Sequence, residues 1–73
     1  MANFEFEIIE QLGTISDPGD KWQKELNIIR WNDNAARYDL RAWNAAHDKM
    51  GKGITISLYE LRQLKELLNS IEI

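Results

Sequence analysis

The sequence has no cysteine, a single proline and a single histidine, four glycines and no long apolar run. Without cysteine there are no disulfides and no thiolate zinc cluster, and the composition fits a reducing compartment. No stretch approaches the roughly 20 apolar residues that cross a bilayer, and the opening MANFEFEII lacks the basic start of a secretory signal. A cytoplasmic protein with no membrane partner is therefore expected. His47 is followed by Asp48, but neighbours on a loop carry no fixed geometry, and the acids are scattered without metal-ligand spacing. Neither an enzyme nor a bound cofactor is expected. At 73 residues the chain is one domain, residues 1–73. A domain of that size buries only about 60% of its unfolded surface, so an oligomer is expected to supply the rest.

The net charge of −3 disfavours nucleic acid at first sight, but it is unevenly distributed. Residues 1–20 hold five acids (Glu5, Glu7, Glu10, Asp17, Asp20) and no base. Residues 21–52 hold seven of the nine bases against four acids, together with all three tryptophans. Local field matters more to a phosphate backbone than total charge does.

Phe4, Phe6, Ile8, Glu10 and Leu12 alternate with Glu5, Glu7, Ile9 and Gln11, which marks a first strand with one mostly apolar face. Gly13 permits a bend, and Asp17-Pro18-Gly19-Asp20 is a turn in which glycine is expected at positive φ. A second strand spans Trp22 to Trp31. Neither of its faces is cleanly apolar, so alternation leaves open which one is buried, with a bulge that changes the facing partway as one alternative. Residues 32–36 read as a hairpin loop. In the third strand, Arg37 to Trp43, Tyr38, Leu40 and Ala42 share one face, while Arg37, Asp39, Arg41 and Trp43 share the other. Asn44 to Lys52 reads as a loop closed by Met50-Gly51-Lys52-Gly53, and Ile54-Thr55-Ile56 as a short fourth strand. Ser57-Leu58-Tyr59-Glu60 is a capping box. It opens a helix whose Leu58, Leu61, Leu64, Leu68 and Ile71 form an apolar stripe widened by Leu67. The order is β-β-β-β-α, an α+β fold.

Each tryptophan, taken alone, reads as core or hairpin packing, and bases on a strand face read as a solvated surface. Asp39 could also pair with Arg37 or Arg41 across the pleat. Rings interleaved with cations at strand spacing, however, are what unpaired bases and phosphates require. Trp43 shares its face with Arg37 and Arg41, Trp31 adjoins Arg30, and Trp22 lies between Lys21 and Lys24. The Gly-Lys-Gly segment lacks P-loop spacing.

Three segments in order resemble the Positive Cofactor Four family of transcriptional coactivators. They are Tyr38-Asp39-Leu40-Arg41-Ala42-Trp43, Met50-Gly51-Lys52-Gly53-Ile54-Thr55-Ile56-Ser57 and Leu61-Arg62-Gln63-Leu64-Lys65-Glu66. Trp22-Gln23-Lys24-Glu25-Leu26-Asn27 and Arg30-Trp31-Asn32-Asp33 resemble its compact bacterial YdbC-type members. The resemblance implies a curved four-stranded antiparallel sheet followed by one C-terminal helix, in a homodimer that takes single-stranded DNA with little sequence preference. It further implies that Trp31, Arg41 and Lys52 serve the binding surface, with Lys24 and Trp43 at or beside positions that serve. Gly51 departs from the basic residue expected there, the loop after Trp31 differs in length, and the Ser-rich tail of eukaryotic members has no counterpart in this sequence.

The reading is a dimeric sheet that binds single-stranded DNA, with RNA as the alternative strand, in transcription, replication or repair. Trp31 and Trp43 stack on bases; Lys24, Arg30, Arg37, Arg41 and Lys52 meet phosphates; Lys21, Trp22 and Lys49 support them; Asn27 and Asn32 bond bases or sugars. The rival is a protein-interaction adaptor that uses the tryptophans and the helix stripe, and transcription or repair proteins are the partners it would meet.

Overall fold

The computed structural model describes residues 5–73. Phe4, assigned by alternation to the first strand, lies outside the described residues, as do the first residues of the MANFEFEII stretch. Four strands, β1 (Phe6–Thr14), β2 (Gln23–Trp31), β3 (Arg37–Trp43) and β4 (Met50–Ile56), precede one helix, α1 (Leu58–Ser70). They form a single antiparallel sheet in the order β1-β2-β3-β4. Every strand connection is therefore a hairpin.

Register sorts the side chains into two faces. Glu25 pairs with Arg41, Asn27 with Asp39 and Ile29 with Arg37. The odd-numbered residues of β2 and β3 consequently share one face, here called the front. Leu26 and Ile28 share the back with Leu40 and Tyr38, opposite which β4 sets Ile54 and Ile56. The open question about β2 is settled without a bulge in that strand: Glu25, Asn27 and Ile29 on its front are buried, while Leu26 and Ile28 are only half-buried.

The irregularities sit in β1 instead. Its register against β2 shifts between Ile8 and Glu10 and again between Gln11 and Gly13. An extra residue reverses the facing of everything beyond it. Phe6 and Ile8 thus lie on the front opposite Trp31 and Ile29, whereas Glu10 lies on the back opposite Ile28. The single apolar face expected from alternation is corrected accordingly, and the two skipped residues, Ile9 and Leu12, are exposed.

The turns are closed by backbone and side-chain hydrogen bonds together. Asp20 N–H donates to the Asp17 carbonyl at 3.0 Å, and the Gln23 amide donates to the carbonyls of Asp17 and Asp20 at 2.9 and 2.6 Å. Gly19 does not take the positive φ expected of it. That conformation falls instead to Asn32 (φ 52°) and His47 (φ 58°), and Asn is among the residues that tolerate it best. In the loop 44–49, the Asn44 carboxamide accepts from Lys49 N–H at 3.1 Å and donates to Asp48 at 2.6 Å.

β4 begins at Met50, so Met50-Gly51-Lys52-Gly53 is strand rather than the loop read from its glycines. The reason is steric. A β-carbon at Gly53 would fall inside van der Waals contact of the Arg41 β-carbon and the Leu40 carbonyl. Glycine there lets β4 close tightly on β3 just where the register slips between Arg41 and Trp43.

Helix α1 starts at a complete capping box: Glu60 N–H donates to Ser57 Oγ at 3.1 Å, and Ser57 N–H donates to the Glu60 carboxylate at 2.8 Å. It lies over the back face, where Leu61, Leu64 and Leu68 line an apolar trough together with Leu26, Leu40, Ile54 and Ile56. No residue of α1 is buried. The fully buried apolar side chains among the described residues, Trp43 and Ile29, are both on the front.

Gly53→Ala should lower stability by about 2 kcal/mol or more, because backbone rather than a mobile side chain stands in the way. Urea unfolding measures it; an unchanged midpoint would show that β4 is not held to β3 through this close approach.

Candidate nucleic-acid interface

The front face is built from rings at its ends and a polar network between them. Phe6 sits with its ring 6.0 Å from Trp31 and 5.2 Å from Trp43. Trp31 pairs with Phe6 at one end of β2, whereas Trp43 pairs with Gln23 at the other end. For one phenyl ring to reach both, the sheet must curl towards the front, and the bulges of β1 supply the extra local twist. His47 closes the far side, its ring 5.8 Å from Trp43. Trp43 is left with no accessible surface.

The polar network runs beneath. Arg41 donates from Nε to Asp39 Oδ1 at 2.7 Å and from Nη2 to Asp39 Oδ2 at 3.0 Å, a two-point pairing that fixes the guanidinium plane. Thr55 Oγ1 on β4 donates to Asp39 Oδ2 at 2.9 Å. The guanidinium carbon lies 4.8 Å from the Trp31 ring centroid, a cation–π arrangement. Nearer the other end, His47 Nε2 lies 2.8 and 3.0 Å from the two oxygens of Glu25, and Asn27 donates its amide to Glu25 at 3.1 Å.

The site residues read from the sequence separate into groups. Trp31, Arg37 and Arg41 share the front, with Arg37 exposed, Trp31 half-buried and the Arg41 side chain 16% exposed. Trp43 and Asn27 are on the front but fully buried, so neither offers a surface to a ligand in this conformation. Asn32 holds Glu5: its N–H donates to the Glu5 carbonyl at 2.8 Å and its side-chain oxygen accepts from Glu5 N–H at 2.9 Å. Lys24 and Arg30 occupy back-face positions, beside Ala42 and Glu7 respectively. Arg30 pairs with Glu7 at 3.3 Å, both exposed, which is worth little energetically. Lys21 and Trp22 precede β2 and are exposed, Trp22 at 45%. Lys49 ends its loop, and Lys52 is exposed on the edge strand β4.

Sequence reading missed Phe6 as the central ring, because the β1 bulges hide its facing. It also set His47 aside for want of a partner; the partner, Glu25, is 22 positions away. Asp39 was visible as an acid between two arginines on one strand face, a spacing that brings side chains together across the pleat. No cluster of groups able to hold a metal occurs among the described residues.

The sequence model of the Transcriptional Coactivator p15 (PC4) family matches residues 19–67, which takes in all of β2, β3 and β4 and most of α1. An uncharacterized protein of Treponema pallidum (strain Nichols) is 41% identical over 71 residues, 97% of this chain and 84% of its own length.

Trp43→Ala should cost about 3–5 kcal/mol in urea unfolding, as expected for a buried indole. Trp22→Ala should change stability by less than about 0.5 kcal/mol, as at an ordinary surface position. Equal losses at the two positions would contradict the division between core and surface rings drawn here.

Proposed function

The chain belongs to the Transcriptional Coactivator p15 (PC4) family, and from that premise we propose that it binds single-stranded DNA along the front face with little sequence preference. The observation that carries the reading is the Arg41 guanidinium poised over the Trp31 ring on a curled sheet. A partly accessible indole stacks on any base, since every base has a π-face, and the adjoining cation meets the phosphate.

Within this reading Trp31 is the stacking platform, Arg41 and Arg37 meet phosphates, and Lys49 and Lys52 extend the cationic track at the β3–β4 end. Lys21 and Trp22 extend it at the start of β2. Trp43 shapes the surface from below. Lys24 and Arg30 occupy back-face positions in one chain and lie apart from this track.

A homodimer fits the other face. Leu64, Leu67, Leu68 and Ile71 of α1 and Ile54 of β4 are exposed, around an apolar trough of about 210 Å³ lined by Leu26, Leu40 and Leu61 among others. A contiguous apolar surface of this kind is what an interface uses, and two copies would double the basic front. The role is the handling of exposed single strands in transcription, replication or repair in the cytoplasm, and no chemical step is assigned to the chain.

Intrinsic tryptophan fluorescence during titration with a single-stranded oligonucleotide of about 20 nucleotides tests the reading. Strong quenching that weakens with salt, and a smaller response to duplex, are expected; no response at low salt would exclude it and favour the adaptor. An RNA strand that competes better than DNA would reassign the ligand. Trp31→Ala should weaken binding by about 1–3 kcal/mol, and Arg41→Ala should shallow the salt dependence by about one ion. Leu68→Glu should convert the dimer to monomer in sedimentation, and a monomeric wild type would remove the dimer from the proposal.

A further inference from the structure

Asp39 has no accessible surface, and its carboxylate accepts from three donors: Arg41 Nε, Arg41 Nη2 and Thr55 Oγ1. We propose that Asp39 is a positioning residue for the nucleic-acid site, setting the direction in which Arg41 presents its guanidinium. This rests on the single-strand reading above and deepens it.

The argument is one of donor counting. A guanidinium has five N–H groups in a rigid plane. Asp39 takes the edge formed by Nε and one N–H of Nη2. Nη1 makes a weak contact with Met50 Sδ at 3.6 Å. The edge formed by Nη1 and the remaining N–H of Nη2 carries no strong acceptor among the described residues. That edge has the spacing of two phosphate oxygens. With the plane pinned by Asp39 and the guanidinium set over the Trp31 ring, the Nη1–Nη2 edge has a fixed orientation before a strand arrives. A ligand then does not bear the ordering cost of a long flexible side chain. Thr55 matters because it fixes Asp39 in turn, from the neighbouring strand.

Electrostatics alone predicts the opposite. Asp39 cancels the charge of Arg41, so removing that negative charge should tighten binding to a polyanion. The two accounts therefore differ in sign.

The test is a set of affinities for an oligothymidylate of about 20 nucleotides, by fluorescence quenching, at two salt concentrations. The chains are wild type, Asp39→Asn, Thr55→Val and Arg41→Ala, with each of the first two substitutions repeated in the Arg41→Ala background. Asp39→Asn should weaken binding about tenfold despite the added positive charge, and Thr55→Val about threefold. Neither should change affinity by more than about twofold where Arg41 is already alanine. Unchanged or tighter binding by Asp39→Asn would overturn the proposal, as would an equal loss in both backgrounds, the mark of a purely structural role. Should Asp39→Asn fail to fold, Thr55→Val decides by the same criteria, since it removes one hydroxyl and keeps the shape. A wild type that does not bind would overturn the single-strand reading and this proposal together, whereas failure of the cycle with a binding wild type overturns the proposal alone.

Discussion

A carboxylate shut away from water is affordable only when paired and fully hydrogen-bonded, and Asp39 organises the front face under that constraint. Its charge demands the Arg41 guanidinium, and its second oxygen takes Thr55 from β4 as well. Arg41 in turn lies against Trp31 at the end of β2. One buried acid on β3 thereby ties together the three strands β2, β3 and β4. Loss of Arg41 would leave a desolvated charge, whereas loss of the Thr55 hydroxyl would remove one hydrogen bond and leave the ion pair in place.

The two faces of the sheet solve the small-domain problem differently. The front curls until Phe6 touches both Trp31 and Trp43, so rings and paired polar groups cover each other and the best-buried residues lie there. The back is more apolar but less covered, since α1 shields it without burying any helix residue. The front can therefore hold a fixed pattern of charge and ring in one chain. The back has apolar surface to spare, and the proposed dimer uses it.

Much of the fold was legible. Period-two alternation placed β3 at Arg37–Trp43, and the Ser57–Glu60 box placed the start of α1, because both are local signals. What misled was also local. The glycines at 51 and 53 read as a loop, yet Gly53 is needed for close strand packing. The alternation of β1 read as one face, yet two extra residues invert it midway. Neither can be seen without the partner strand.

The candidate site divides in the same manner. Sequence by itself determined that Arg37, Asp39, Arg41 and Trp43 share a face and that cations and rings concentrate between residues 21 and 52. Residue types and strand period suffice for that. Only the tertiary structure decided that Trp43 is fully buried while Trp31 is half-buried, that Lys24 and Arg30 face away from Arg41, and that His47 answers to Glu25. Those outcomes depend on register, bulges and the curl of the sheet, which are set by pairing between residues distant in the chain and leave no periodic trace within it.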